Sequence, residues 1–343
     1  MNINAFLNTI TNTARTLPIV ILYVTEGCNL KCITCSYREP QPGELSLEEI
    51  KNLAGHLSDF GLKHIVYSGG EPLLRRDFKD ICENFKQYSV KQSLLTNGLL
   101  LDKRIDEIQH YFHEIIVSID GGKAETHNKI RGVNSFDLIM KGISKAVKNK
   151  DKQNISIRTV LQKSNFRELP EMINMAKSAG VDRISFLSAD VASEAFGRDT
   201  RGAVSEELDI SLGPDEVNEF REIVNQVIKV YSSEFISGFI SESPQKLLKM
   251  VDYYGALCGL NDFPKNFCNA PMVSAVITST GNIHPCYFIE SYGNIRKTEF
   301  KSLINIDKIR HVRKDVRNFT HPRCKTCVCT LNVSKANALF DGF

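Results

Sequence analysis

Short apolar runs alternate along this chain with longer stretches in which apolar positions recur every three to four residues. The runs at residues 19–24, 64–68, 93–96, 115–119, 155–161 and 183–188 have the length of buried strands. Between them, residues 47–60, 76–87, 102–110, 136–149 and 166–179 follow the helical period. Ser46 with Glu49 three residues on forms a capping-box signature at the start of the first of these helices, and Gly61 supplies its stop. Gly180 ends the fifth helix in the same way. Residues 1–16 read as a short amphipathic lead-in helix, with Phe6, Leu7, Ile10 and Ala14 on one stripe. Strands alternating with helices predict a parallel sheet with right-handed crossovers. Six such units fit an open partial (β/α)6 barrel, and periodicity alone fits a flat doubly wound sheet equally well.

After Ala189 the alternation breaks. Residues 190–257 hold an acidic, mixed segment followed by helical patterns near 214–231 and 243–254. Two apolar runs around Ser279-Thr280-Gly281 then predict a β-hairpin. The expected organisation is a lead-in at 1–16, a sheet domain at 17–190, a bridging helical segment at 191–257 and a small terminal domain at 258–343.

Composition changes this picture little. With 343 residues, 42% hydrophobic and 24% charged, the chain is an ordinary globular one, long enough for a barrel with an appendage. The apolar run at 17–24 is too short to span a bilayer, and no secretory pattern precedes it. A cytoplasmic protein without a membrane span is expected. A net charge of +3 is no nucleic-acid footprint. Between Arg296 and Lys325, however, ten Lys/Arg face three acidic residues. This excess reads as a solvated face, or as a steering patch for an acidic electron donor or an anionic substrate.

The ten cysteines matter through their placement. Three fall at 28–35, six at 258–329, and Cys82 stands alone in a helical stretch, as a core residue would. A disulfide framework belongs to small secreted domains, so two groups of thiols at the two ends predict two metal sites. Cys28, Cys32 and Cys35 are spaced C-x3-C-x2-C directly after the first strand. Three thiolates fit three corners of a [4Fe–4S] cube whose fourth iron is open, and they also fit a zinc knuckle with a distant fourth ligand. After the second strand comes Ser68-Gly69-Gly70-Glu71-Pro72, where glycines allow close backbone approach to a ligand and a carboxylate can accept from a cation.

Together the C-x3-C-x2-C and GGEP segments resemble the radical S-adenosylmethionine (radical SAM) enzymes. The resemblance implies a partial (β/α)6 barrel with its chemistry at the C-terminal ends of the strands. It implies a [4Fe–4S] cluster on Cys28, Cys32 and Cys35 that chelates S-adenosyl-L-methionine (SAM), with Gly69, Gly70 and Glu71 receiving the methionine amino group. Thr96-Asn97-Gly98 and Ser118-Ile119-Asp120-Gly121 also look like the family. By that resemblance Ser118 and Arg131 hold the SAM carboxylate, Asp120 touches SAM or substrate, and Leu161 packs on adenine. Arg131 reads alternatively as a surface ion pair, and Leu161 as core. Where many relatives carry an aromatic residue before the third cysteine, this chain has Thr34.

The C-terminal third resembles the SPASM/Twitch appendage of these enzymes. The shorter Twitch form implies one auxiliary [4Fe–4S] cluster on Cys268, Cys286, Cys324 and Cys327. A four-cysteine zinc site is the alternative. Cys329 reads as an alternative ligand and Cys258 as a hydrogen-atom donor, a replacement ligand or an inert thiol. The expected activity is reductive SAM cleavage followed by hydrogen abstraction from a small metabolite, in a dehydrogenation, epimerisation or rearrangement. A flavodoxin or ferredoxin would supply the electron. Modification of a ribosomal peptide is the second reading, made weaker by the short stretch before the first strand. A non-catalytic metal-binding or redox-sensing protein is the third.

Overall fold

A computed structural model describes residues 2–191, 193, 195–198, 210–340, 342 and 343. In chain order the first half holds α1 (Ile3–Ile10), β1 (Ile19–Thr25), α2 (Leu47–Asp59), β2 (His64–Gly69), α3 (Phe78–Lys86), β3 (Lys91–Thr96), α4 (Leu101–Ile108) and β4 (Glu114–Ser118). Then follow α5 (Ala124–Arg131), α6 (Phe136–Asn149), β5 (Asn154–Leu161), α7 (Leu169–Ser178) and β6 (Arg183–Ser188). The C-terminal part holds α8 (Pro214–Val230), α9 (Ser232–Ile236), α10 (Pro244–Leu257), α11 (Ala270–Val273), β7 (Ser274–Ile277), β8 (Asn282–His284) and β9 (Gly293–Asn294). It closes with α12 (Phe300–Leu303), α13 (Asp307–Arg317), α14 (Pro322–Lys325) and α15 (Lys335–Leu339). Part of the expected bridging segment, at 199–209, lies outside the described residues.

The strands form one sheet in the order β6-β5-β4-β3-β2-β1-β7-β8-β9. β1 to β6 are parallel and neighbour one another in sequence order, as in a barrel opened between its first and last strands. The predicted capping box of α2 is present, with Ser46 and Glu49 bonding reciprocally. Successive side chains of a strand face opposite sides, and the two sides here have different company. Val20, Leu22, Ile65, Tyr67, Leu94, Val117, Ile157 and Phe186 pack outward with the helices in the main core, which also takes Cys82. Ile19, Ile21 and Tyr23 pack inward against Met272, Val273, Val276 and Ile289 in a second, smaller core.

That second core exists because the predicted hairpin is not a separate layer. β7 pairs in parallel with β1, and β8 and β9 add antiparallel strands beyond it. The C-terminal domain thus extends the barrel sheet and covers its inner face.

The lead-in differs from its reading. The buried face of α1 carries Ala5 and Asn8, while Ile10 is 44% exposed. Asn8 Nδ2 donates to Thr16 O (2.7 Å) and Met272 O (3.0 Å), which fixes the helix between the two chain ends. Three members of the basic excess at 296–325 are tied into the fold, while Lys297, Lys301, Lys308, Arg310, Lys314 and Lys325 are exposed. Arg313, 2% exposed, donates to Pro271 O and Asn305 Oδ1, and Arg317 donates to the Asn12 side chain. Arg296 pairs with Glu49 on α2. None of the described helices is long and apolar enough to cross a membrane.

Candidate functional site

Cys28, Cys32 and Cys35 lie on the loop leaving the C-terminal end of β1. Its backbone is pinned at both flanks. Cys28 N–H donates to Arg38 O (2.8 Å), while Lys31 and Ile33 N–H donate to Arg131 O (3.0 Å) and Ile130 O (3.1 Å) at the end of α5. Each thiol meets a different element: Asn97 Nδ2 lies 3.7 Å from Cys28 Sγ, Arg131 Nη1 lies 3.7 Å from Cys32 Sγ, and Cys35 Sγ reaches Phe196 O at 3.7 Å. Burial pushes the Cys28 thiol up, and the Cys35 thiol to about 11. A thiolate set here therefore needs positive charge beside it.

The GGEP loop is built against this loop. Gly70 N–H donates to Thr25 O and Glu71 N–H to Gly27 O, both at 2.8 Å. A Cβ on Gly69 would sit 2.1 Å from Thr25 O at a φ of +115°, and one on Gly70 would sit 2.1 Å from Gly27 O. Both positions therefore require glycine. Glu71 is fully buried, and its carboxylate turns to the Thr96-Asn97-Gly98 loop. Oε1 accepts from Thr96 Oγ1 (2.8 Å) and Leu73 N–H (3.0 Å), and Oε2 accepts from Asn97 N–H (2.7 Å). The carboxylate thus ties three strand-end loops together. Burial pushes it up to about 7, against the three donors that favour its charged form.

Arg131 and Asp120 form an ion pair of 2.7 Å, with side chains 13% and 3% exposed. Asp120 Oδ1 also accepts from Val160 N–H (2.8 Å). Asp120 is therefore an anchor for Arg131. Arg131 divides its fork between Asp120 and Cys32, and its Nε is buried without a partner. Ser118 ends β4 half-buried, opposite Arg158 of β5. Leu161 is fully buried on the outer, helix-facing side of β5, so its side chain belongs to the main core and not to an adenine site. Cys258 follows α10 and bonds Leu212 O at 3.0 Å, beside Glu216. It lines neither of the cavities described next, which removes the support for a hydrogen-donor or ligand role.

At the other end, Cys268, Cys286, Cys324, Cys327 and Cys329 line one cavity of about 80 Å³. The four expected thiols are together, and Cys329 is a fifth. Burial and the neighbouring thiols push Cys286 up to about 12 and Cys324 to about 11. Asn269 fastens this cavity, bonding Leu331 O through its N–H and exchanging two side-chain bonds with Val333. A larger cavity of about 770 Å³ reaches from Tyr37 and Phe196, beside the first thiol loop, to Cys286, and is lined also by Tyr23, Tyr287 and Phe288. Tyr23 stacks on Tyr287 (6.3 Å between centroids) and meets Tyr37 edge-on (6.1 Å). Sequence reasoning missed these rings, although Tyr287 and Phe288 directly follow Cys286.

The donor sets fit iron–sulfur ligation. Both are made of sulfur alone, the soft donor that such clusters take, and the first has an orphaned guanidinium nitrogen beside it. Among the described residues no group of three or more His, Cys, Asp and Glu is gathered closely enough to hold a metal ion.

Comparison with known proteins follows this geometry. The model of the radical SAM superfamily matches residues 22–186, and the SPASM model, an iron–sulfur cluster-binding domain, matches residues 268–328. The chain is 29% identical over 234 residues to Fe-coproporphyrin III synthase of Methanosarcina barkeri, covering 66% of this chain and 54% of that one. It spans about half the length of several such curated relatives. It is 28% identical to GTP 3',8-cyclase of Mannheimia succiniciproducens, over 80% of this chain and 79% of that one. Among solved structures, Streptococcus suis SuiB bound to its precursor peptide SuiA shares the fold, with a TM-score of 0.65 and 16% identity over 93% of this chain and 73% of that one. The two matched regions contain the two thiol groups that the sheet holds apart, and the chain carries a radical SAM domain followed by a SPASM domain.

Proposed function

We infer that this enzyme cleaves SAM reductively and abstracts a hydrogen atom from a small metabolite seated between its two thiol groups. The superfamily's cofactors are SAM and a [4Fe–4S] cluster, and the SPASM domain adds an auxiliary iron–sulfur cluster. Cys28, Cys32 and Cys35 would hold the first cluster, and Cys268, Cys286, Cys324 and Cys327 the second. With SAM bound, the first cluster supplies a 5′-deoxyadenosyl radical.

The chain's own residues would do the rest. Gly69 and Gly70 let a ligand's polar head approach the loop backbone, and the Asp120–Arg131 pair holds positive charge at Cys32. The rings of Tyr23, Tyr37, Tyr287 and Phe288 exclude water from the reacting centre and offer stacking surface. The observation that carries this reading is the 770 Å³ cavity, which reaches from Tyr37, two residues past Cys35, to Cys286. Its volume lies within the range of roughly 300–1,000 Å³ usual for small-molecule sites. Oxidation, epimerisation and rearrangement all fit such a site, with the auxiliary cluster as electron acceptor in the first.

The test is anaerobic reconstitution of the full chain and of a Cys28→Ala/Cys32→Ala/Cys35→Ala variant. The wild type is expected to hold about eight irons, the content of two [4Fe–4S] clusters, and to form 5′-deoxyadenosine with dithionite. The variant is expected to retain about four irons and no cleavage. Cleavage by the variant would overturn the assignment.

A further inference from the structure

The wall of the large cavity carries three phenols that the rest of the fold leaves unanchored. Three buried tyrosines elsewhere are tied down: Tyr67 Oη donates to Gln92 Oε1 (2.7 Å), Tyr111 Oη to Glu83, and Tyr254 Oη to Leu161 O. A buried tyrosine hydroxyl ordinarily finds such an acceptor. Tyr23, Tyr37 and Tyr287 line the cavity instead, and among the described residues none of their hydroxyls donates to a carbonyl or a carboxylate. Glu26 is the acid whose charge reaches Tyr23 and Tyr37, and its Oε1 accepts from Ser279 Oγ (3.2 Å). The Tyr37 hydroxyl meets that of Tyr23. Tyr23, on the inner face of β1, is edge-on to Tyr37 (6.1 Å) and stacked on Tyr287 (6.3 Å), so the three rings form one continuous wall.

That wall runs from one thiol group towards the other. Tyr37 stands two residues past Cys35, and its hydroxyl and that of Tyr23 both lie close enough to feel a charge on the Cys35 sulfur. Tyr287 directly follows Cys286 and feels Cys286 and Cys329 in the same way. Rings that only packed the cavity would need no hydroxyl, as Phe196, stacked on Tyr287 at 6.0 Å, and Phe288 show on the same wall. What the hydroxyls add is a transferable hydrogen. A phenol is protonated at neutral pH, and its O–H bond is weaker than an alkyl C–H bond. Hydrogen transfer from a phenol to a carbon radical therefore runs downhill, and the unpaired electron it leaves is spread over the ring.

We propose that the phenols of Tyr23, Tyr37 and Tyr287 are the hydrogen-atom donors to the carbon radical formed in this cavity. This rests on the proposed function and singles out epimerisation among its three reactions, because there the carbon radical must regain a hydrogen. In the step a phenol O–H bond breaks and a substrate C–H bond forms, so the substrate radical is reduced and the phenol is oxidised to a phenoxyl radical. One electron from a reduced iron–sulfur cluster and one proton from water in the cavity then restore the phenol.

The test needs no substrate, because SAM itself supplies a carbon radical. The reconstituted full chain is exchanged into deuterium oxide, which labels phenol and thiol hydrogens but no C–H bond, and is given SAM and dithionite. The 5′-deoxyadenosine formed is analysed by mass spectrometry, and freeze-quenched samples by EPR. The wild type is expected to place a solvent deuterium in the product and to show a tyrosyl signal that narrows when the chain is made with ring-deuterated tyrosine. In Tyr23→Phe/Tyr37→Phe/Tyr287→Phe both the deuterium and the signal are expected to be lost. Deuterium is read per molecule of 5′-deoxyadenosine, so a slower variant is scored alike. Wild-type product without deuterium overturns the proposal, and so does equal deuterium in the variant, which assigns the hydrogen to a thiol. Should the triple variant not fold, the wild-type signal decides: its absence, or its indifference to ring deuterium, is equally fatal. No 5′-deoxyadenosine at all sinks the proposed function, whereas cleavage without solvent deuterium sinks only the phenol donors.

Discussion

Glu71 illustrates how a motif residue can serve the frame that carries a ligand. Its oxygens accept from Thr96, Leu73 and Asn97, so Glu71→Gln sets an amide N–H against one of those donors. The expected cost is about 1–3 kcal/mol, that of an unsatisfied buried group, read as a lower urea midpoint. The pH dependence has a definite sign. Burial leaves the folded carboxyl titrating near 7 against an ordinary value of 4.5. The folded chain therefore binds the extra proton, and this contribution to stability is full below about 4.5 and lost as pH rises through about 7. Glu71→Gln is expected to remove that slope from a stability–pH profile. Asp120 acts at the same scale. Asp120→Ala strands Arg131 beside Cys32, and a loss of about 3–5 kcal/mol is expected for breaking a buried pair, visible as a lower melting temperature of the unreconstituted chain.

At the scale of elements, the strand-end loops are fitted by backbone contact. Gly70→Ala forces a Cβ onto Gly27 O. The variant is expected to lose about four irons per chain, one [4Fe–4S] cluster, while keeping the C-terminal set; unchanged iron would show that the loop can shift. The same scale shows what the sequence discloses. Six strands and their order are legible because buried parallel strands are continuous apolar runs, and the thiol loops because their spacing is chemical. Helix α5 is not, since Ala124–Arg131 is mostly polar and buries only His127 and Ile130. A motif names a residue but not the side of the strand or loop it faces, so the partners of Glu71 and Asp120 were not legible, and Leu161 stands in the core, the second of its two readings. Leu161 shows this most plainly: alternation from Ile155 and Ile157 already places it on the helix side. Cys329, read as an alternative ligand, stands with the four other thiols, whereas the seam closing that cavity was hidden because it runs between residues more than sixty positions apart.

For the whole molecule, the two ends of the chain are bound to each other. Asn2 N–H donates to Leu339 O (2.7 Å), and Arg313 and Arg317 reach back to Asn12. Arg313→Met removes the guanidinium that bridges Pro271, Asn305 and Asn12, taking a donor from Pro271 O and Asn12 O while Asn305 Oδ1 keeps Ala14 N–H. It is expected to cost about 2–4 kcal/mol, one to two lost bonds to a charged group, and to release α1 to proteolysis before the barrel unfolds. Protection of α1 unchanged in the variant would show that the bonds of Asn2, Asn8 and Arg317 suffice to hold it.

The pairing of β7 with β1 also bears on how the chain is made. β1 leaves the ribosome early, gains β2 on one side soon after, and waits some 250 residues for its other neighbour. Until then one row of its N–H and C=O groups and the apolar side chains of Ile19, Ile21 and Tyr23 face water, the condition in which an edge strand recruits another chain. A nascent chain halted before Ser274 should therefore be aggregation-prone and dependent on chaperones. The last strands to be synthesised protect the first, so the barrel is sealed only when the SPASM domain arrives.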